Sequence, residues 1–309
     1  MTVQIDRTKM KKVPKASTMD PFGLINYEDQ ASGRVVMAFI KNEMVREGSR
    51  MGIAIDGSGS MQDLFGRESK SVLIPSLPNH VKPAAQALSG YLAQRSADGK
   101  VAAIYWATGP GGKEIQILGD LTKSDAEAFD FRPPANYGTG TELLPALKYF
   151  TDGVQRKDLK DAAWGMYVFV TDGQLQDLDE VIKYCTTLAK DIEAGRRNDL
   201  KLILVGLGDQ VDVKQFDILD NLETGTEVDL WYSTLAADLT DLSDIGIETN
   251  DQFMILVPSD GVVRDENGNT VASYRDTGLP AKLEFILPKD ACKAFTLEVG
   301  GNKITQPLP

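Results

Sequence analysis

Met51-Gly-Ile-Ala-Ile-Asp56-Gly-Ser58-Gly-Ser60-Met61 is an apolar run that ends in an aspartate, followed by two serines at alternating positions. An apolar run of this length, bounded by glycines, predicts a buried strand. Such a strand delivers its last residue, Asp56, to the carboxyl edge of a sheet, where open α/β folds bind their ligands. The glycine-serine loop can then turn the hydroxyls of Ser58 and Ser60 to the same point. One carboxylate and two hydroxyls form an all-oxygen set, which suits a hard cation such as magnesium, manganese or calcium. Alone, Asp-x-Ser-x-Ser is equally the pattern of a turn with a helix cap.

Two later segments add to it. Gly138-Thr-Gly-Thr141-Glu-Leu-Leu-Pro-Ala146-Leu147 reads as a glycine-marked loop entering a helix. Tyr167-Val-Phe-Val-Thr171-Asp172-Gly173 reads as a second buried strand that ends in an aspartate and a glycine turn. In this order the three segments resemble the von Willebrand factor type A domain family, over roughly residues 49 to 245.

The resemblance implies a metal-ion-dependent adhesion site. The family's first aspartate falls on Asp56, its serines on Ser58 and Ser60, and its last aspartate on Asp172. Its threonine falls on Thr141, which stands at the family's usual distance before Ala146-Leu147, with Thr139 the alternative. By the same resemblance Ser58 and Ser60 bind the ion directly, Thr141 directly or through water, and Asp56 and Asp172 neutralise it, often through coordinated waters. The implied ion is Mg2+, with Mn2+ or Ca2+ as alternatives, and the implied partner is a protein that presents an aspartate or glutamate to the metal. Also by resemblance, intracellular bacterial members work beside chaperone-like ATPases or in stress-response clusters, including tellurite-resistance systems.

At 309 residues the chain can bury one large core, or one core and a small second domain. A formal charge of -12 disfavours nucleic acid and anionic membrane as partners. Cys185 and Cys292 stand far apart; the first falls in a helical pattern and reads as buried and inert. Met1 to Lys15 is polar and basic without the apolar core of a signal peptide, and no apolar run reaches membrane-spanning length. The expected location is the cytoplasm.

Along the chain, residues 1–33 mix lysine, proline, serine and glycine and read as a flexible amino-terminal arm. Residues 34–48 hold a strand. From 49 to 249, strands at 101–107, 166–171, 200–206 and 228–232 alternate with helical patterns at 79–95, 124–129, 141–150, 177–193 and 213–222, with 114–118 a hairpin partner of 101–107. This alternation predicts an α/β class: a doubly wound, mostly parallel, Rossmann-like sheet covered on both faces. From 250 to 309 short alternating strands predict a small β-rich accessory domain, into which the 34–48 strand pairs. By analogy with related domains, the segment near Leu235 to Ile245 would move with metal occupancy.

Competing readings are weighed by their missing parts. A haloacid dehalogenase-type phosphatase needs an aspartate where Ser58 stands, a P-loop needs a Gly-Lys-Ser or Gly-Lys-Thr that does not occur, and Gly57-Ser58-Gly59-Ser60 is not a hydrolase elbow. His80, the one histidine, reads as a polar residue at a helix start. Asp265-Glu-Asn267-Gly268-Asn269 faintly resembles a calcium loop but lacks its terminal glutamate, and Asn267-Gly268 reads as a hairpin turn. The expectation is therefore a non-enzymatic, metal-dependent protein-binding module of an intracellular stress-response or ATPase-linked assembly. A metal-dependent phosphoester hydrolase is the alternative.

Overall fold

The computed structural model describes residues 10–40, 47–66, 77–208, 210–236, 255–257, 260–275 and 278–309. The chain divides into two compact units, Met1–Glu43 with Ser243–Pro309, and Met44–Leu242. The first unit begins with β1 (Lys11–Lys12), β2 (Phe22–Gln30) and β3 (Gly33–Ile40). β2 corrects the expectation of a flexible arm over 1–33. Phe22 and Ile25 are fully buried, and β2 pairs antiparallel with β3 from Phe22↔Ile40 to Gln30↔Gly33. The lysine- and proline-rich residues before it conceal a strand whose partner lies just ahead in the chain.

The second unit runs β4 (Ser49–Asp56), α1 (Val81–Ala93), β5 (Lys100–Thr108), β6 (Glu114–Thr122), α2 (Lys123–Ala128), α3 (Leu144–Thr151), α4 (Lys157–Lys160), β7 (Trp164–Thr171), α5 (Leu178–Glu193), β8 (Leu200–Gly206), α6 (Val213–Asp220) and β9 (Trp231–Leu235). Its strands form one sheet in the order β6-β5-β4-β7-β8-β9. β4 pairs parallel with both β5 and β7, β7 with β8, and β8 with β9, while β6 folds back antiparallel on β5. β4 is thus flanked on both edges, and its central position explains its unbroken apolar run.

Gly52 in β4 has a packing cause. A Cβ there would stand 2.4 Å from the Phe150 ring, which lies stacked on Tyr167 at 4.9 Å. α5 buries Val181, Cys185, Leu188, Ala189 and Ile192, a single helical face. Burial pushes the Cys185 thiol up to about 12, so it stays protonated and inert. Thr122 caps α2 through a reciprocal capping box with Asp125.

The carboxyl-terminal part of the first unit runs β10 (Ile255–Val257), β11 (Gly261–Asp265), β12 (Thr270–Tyr274), β13 (Leu279–Pro280), β14 (Lys282–Leu287), β15 (Ala294–Val299) and β16 (Asn302–Pro307). β14 pairs antiparallel with β3, from Lys282↔Phe39 to Leu287↔Arg34, giving a sheet β1-β2-β3-β14 built from both ends of the chain. A second sheet has the order β12-β11-β15-β16, and β10 pairs with β13. Phe295 lies between Phe22 and Phe285, with ring centroids 5.3 and 4.9 Å away. Asp265 accepts from Asn267 N (2.9 Å) and Asn269 N (2.8 Å), so this loop is the turn of the β11–β12 hairpin.

These proportions correct the fold expectation. The chain is not a doubly wound α/β protein with a small β appendage. Among the described residues it is β-rich, at 38% strand against 25% helix. Among the described residues three of the four sheets are wholly antiparallel, and the remaining one is mixed. The physical reason is locality: among the described residues strand-helix alternation holds between β4 and β9 only. Both ends of the chain link short strands through tight turns, and such connections give antiparallel pairs. Most of the 235–245 segment lies outside the described residues, so the movement expected there has no structural counterpart to report.

Candidate metal centre

Asp56 ends β4 and is completely buried. Its Oδ1 accepts from the Ser58 backbone N–H at 2.7 Å, and its Oδ2 accepts from the Thr171 hydroxyl at 2.6 Å. The Ser58 and Ser60 hydroxyls stand 2.9 Å apart, and Ser60 Oγ donates to Asp172 Oδ1 at 2.8 Å. Asp172 directly follows β7 and is 4% exposed. Adjacent parallel strands end here side by side, so their last residues share one edge. The two aspartates thereby come within reach of one serine relay.

The loop of Thr141 is held beside this relay by backbone bonds. Gly59 N donates to Gly138 O and Gly138 N to Gly57 O, both at 2.9 Å. A Cβ at Gly138 would meet the Ala107 carbonyl oxygen at 1.9 Å, and one at Gly112 would meet Gly140 O at the same distance, so the glycines are what lets these loops interlock. Ala107 itself has a φ of 51°, a strained backbone at the end of β5.

Thr141 is 7% exposed. It does not cap α3, whose cap position is Leu143. Thr139, the alternative, is exposed, and its Oγ1 accepts from Gly111 N at 2.8 Å. That hydroxyl is spent on loop structure. The structure therefore gathers Asp56, Ser58, Ser60 and Asp172 by direct contact and lays the Thr141 loop against Ser58 through Gly138.

The electrostatics are those of desolvated acids. Burial pushes the Asp56 carboxyl up to about 7, against the opposing effect of the Thr171 and Ser58 hydrogen bonds and with a smaller push from Asp172. Burial raises Asp172 too, partly offset by the Ser60 hydroxyl. No Lys, Arg or His among the described residues makes a salt bridge to either carboxylate. Buried like charges without a counter-charge are costly, and either a proton or a divalent cation would relieve that cost. The donor set fits a hard ion: every side chain offers oxygen. Among the described residues no three His, Cys, Asp or Glu gather, so the hydroxyls are essential to any such site.

Several contributors escaped the sequence reading. Thr171 was visible in Thr-Asp-Gly, yet nothing local shows that it bonds Asp56, a residue 115 positions away. Gln176 and Asp177, which hold the Thr141 loop, sit in an ordinary polar stretch. His80 lies exposed at the start of α1.

The fold and site together define a two-unit β-rich protein with an oxygen-lined acidic edge on its mixed sheet. No family model matches the chain, and no curated protein matches it. Among solved structures it is similar to the pilus adhesin SpaC from Lactobacillus rhamnosus GG, at 12% identity and a TM-score of 0.40, over 97% of this chain and 48% of that one. It is also similar to the PilB minor pilin from Streptococcus sanguinis, at 12% identity and a TM-score of 0.40, over 72% of this chain and 75% of that one. The chain spans about half the length of the SpaC structure.

These findings correct several expectations. No family model and no curated protein matches, and the described residues are β-rich, so the assignment to the von Willebrand factor type A family is withdrawn. The cytoplasmic location goes with it, as do the intracellular stress-response, ATPase-linked and tellurite-resistance role and the phosphoester alternative. Among the described residues no helix is long and apolar enough to cross a membrane.

Proposed function

We propose that this chain is a non-catalytic binding protein whose site is a divalent-cation centre formed by Asp56, Ser58, Ser60, Thr141 and Asp172. Mg2+ is the ion the oxygen set suits best, with Mn2+ or Ca2+ as alternatives. The observation that carries the reading is the relay Asp56–Ser58–Ser60–Asp172. Two buried carboxylates and two hydroxyls converge there, with no cationic side chain among the described residues bridged to the acids.

The serine hydroxyls carry no formal charge, so among the described residues two carboxylates are what is set against the ion. When bound, the ion supplies Lewis acidity toward an anionic oxygen, and the ligand class is a protein that presents an aspartate or glutamate side chain. Asp56, with both oxygens already accepting hydrogen bonds, is fixed in place and supplies charge. Ser60, exposed at the rim, marks the side from which a ligand approaches.

Thermal melting tests this reading by linkage. Asp172→Ala should lower Tm in millimolar Mg2+ but change it little in chelator, because only the folded state holds the ion. Equal shifts in both conditions would remove Asp172 from the site.

A further inference from the structure

The candidate centre is assembled from three loops, and two of its three junctions are made by the site residues or their neighbours. The loop after β4 meets the 138–141 loop through the Gly59–Gly138 and Gly138–Gly57 bonds, and it meets the loop after β7 through Ser60 and Asp172. The third junction, between the loop that carries Asp172 and the loop that carries Thr141, is made by other residues. Gln176 N donates to Thr141 O at 2.9 Å, and Gln176 Oε1 accepts from Thr141 N at 3.3 Å. Asp177 Oδ1 accepts from Leu143 N at 2.9 Å, and its Oδ2 accepts from Leu144 N at 2.8 Å.

This is not an ordinary helix cap. A capping side chain normally comes from the residue that opens its own helix. Leu143 stands at that position and has nothing to offer, while Asp177 reaches in from 34 residues along the chain. It is a 6% exposed carboxylate whose oxygens both go to the first turn of α3. Gln176 holds the Thr141 backbone by both its donor and its acceptor, directly ahead of that turn.

We propose that Gln176 and Asp177 are positioning residues of the cation centre: they fix the distance between Thr141 and Asp172 without touching the ion. The proposal rests on the reading of the cluster as a divalent-cation site. A small hard cation tolerates little variation in its oxygen distances, so a loosened third loop should cost affinity and leave stoichiometry unchanged.

The test is Mn2+ titration of the full chain, with free Mn2+ followed by electron paramagnetic resonance. Wild type should hold one ion, and Asp56→Ala none. Asp177→Ala should weaken binding about tenfold, since two backbone donors lose their acceptor. Asp177→Asn, which retains one acceptor, should recover part of the loss. Gln176→Ala alters an exposed side chain that poses little risk to folding, and should weaken binding by a few-fold. Thr122→Ala, which removes the cap of α2, controls for general destabilisation and should bind as wild type. Wild-type affinity in Asp177→Ala and Gln176→Ala, with Asp56→Ala inactive, would overturn the positioning role and leave the site intact. So would an equal loss in Thr122→Ala. If wild type itself holds no Mn2+, the cation reading fails, and the proposal with it.

Discussion

The Thr171 hydroxyl donates to Oδ2 of Asp56 across 2.6 Å, joining the final residues of the adjacent parallel strands β4 and β7. This bond, with the Ser58 N–H on Oδ1, fixes the carboxylate at the sheet edge. It also opposes the burial that drives Asp56 up to about 7. Burial wins, and the consequence is a pH-dependent site.

In chelator, wild type should lose stability relative to Asp56→Asn as pH rises from about 4 to about 7, by up to about 1.4 kcal/mol per pH unit. The sign follows from the raised folded-state value: between the ordinary carboxylate range and about 7 the folded chain holds a proton that the unfolded chain has lost. Stability from that proton is complete below the unfolded value and disappears as pH passes the folded one. Asp29 and Asp158, held low by Arg34 and Arg156, act in the opposite direction, so the variant serves as the reference. Urea unfolding across this range checks it, and a difference independent of pH would contradict it.

The same proton competes with a cation. Mg2+ affinity should climb by up to about tenfold per pH unit below about 7 and level off above it. Thr171→Val removes a donor to the charged form and should move the levelling point upward by about one pH unit. Calorimetric titrations of both proteins at several pH values decide the matter. A levelling point that stays put would remove Thr171 from any role at Asp56.

The glycines make a separate prediction. Gly138→Ala places a Cβ 1.9 Å from the Ala107 carbonyl, a backbone atom that cannot swing aside, and should cost about 3 kcal/mol or more. Gly59→Ala meets Gly138 O only at 3.4 Å and should cost far less. Gly90, in the interior of α1 with side-chain neighbours no nearer than 3.8 Å, should gain about 0.5–1 kcal/mol when changed to alanine. Denaturant midpoints of the three variants should fall in that order.

What the sequence revealed follows from how local each cause is. β4 and β7 were legible because a central strand is apolar on both faces, and Asp56 and Asp172 because each directly ends such a run. The strand over Phe22–Gln30 was not legible: its polar end, Glu28 to Gln30, and the lysine-rich stretch before it outweigh Phe22 and Ile25 until β3 supplies a partner. Thr171, Gln176 and Asp177 escaped for another reason. Their roles lie in bonds to residues 33 to 115 positions away, which no local pattern records. The overall class was misjudged because the strand over Phe22–Gln30 was not read, so the β-rich unit was taken as a small appendage rather than a unit built from both ends of the chain.

The first unit depends on its two termini together. Phe22→Ala removes a buried ring packed on Phe295 and should destabilise that unit by about 3–5 kcal/mol. Limited proteolysis should then open the carboxyl-terminal strands as well as β2, since β3 and β14 share a sheet. Cleavage confined to residues before Gly33 would show that the carboxyl-terminal strands stand without the amino-terminal ones.

The central claim is that the serine relay between two buried aspartates holds a divalent cation. Isothermal titration of chelator-stripped protein with Mg2+ at pH 8 tests it most directly, using wild type beside Ser58→Ala with Ser60→Ala. One saturable site in wild type that is lost in the double variant is the predicted result. No binding in wild type, or equal binding in both proteins, would contradict it.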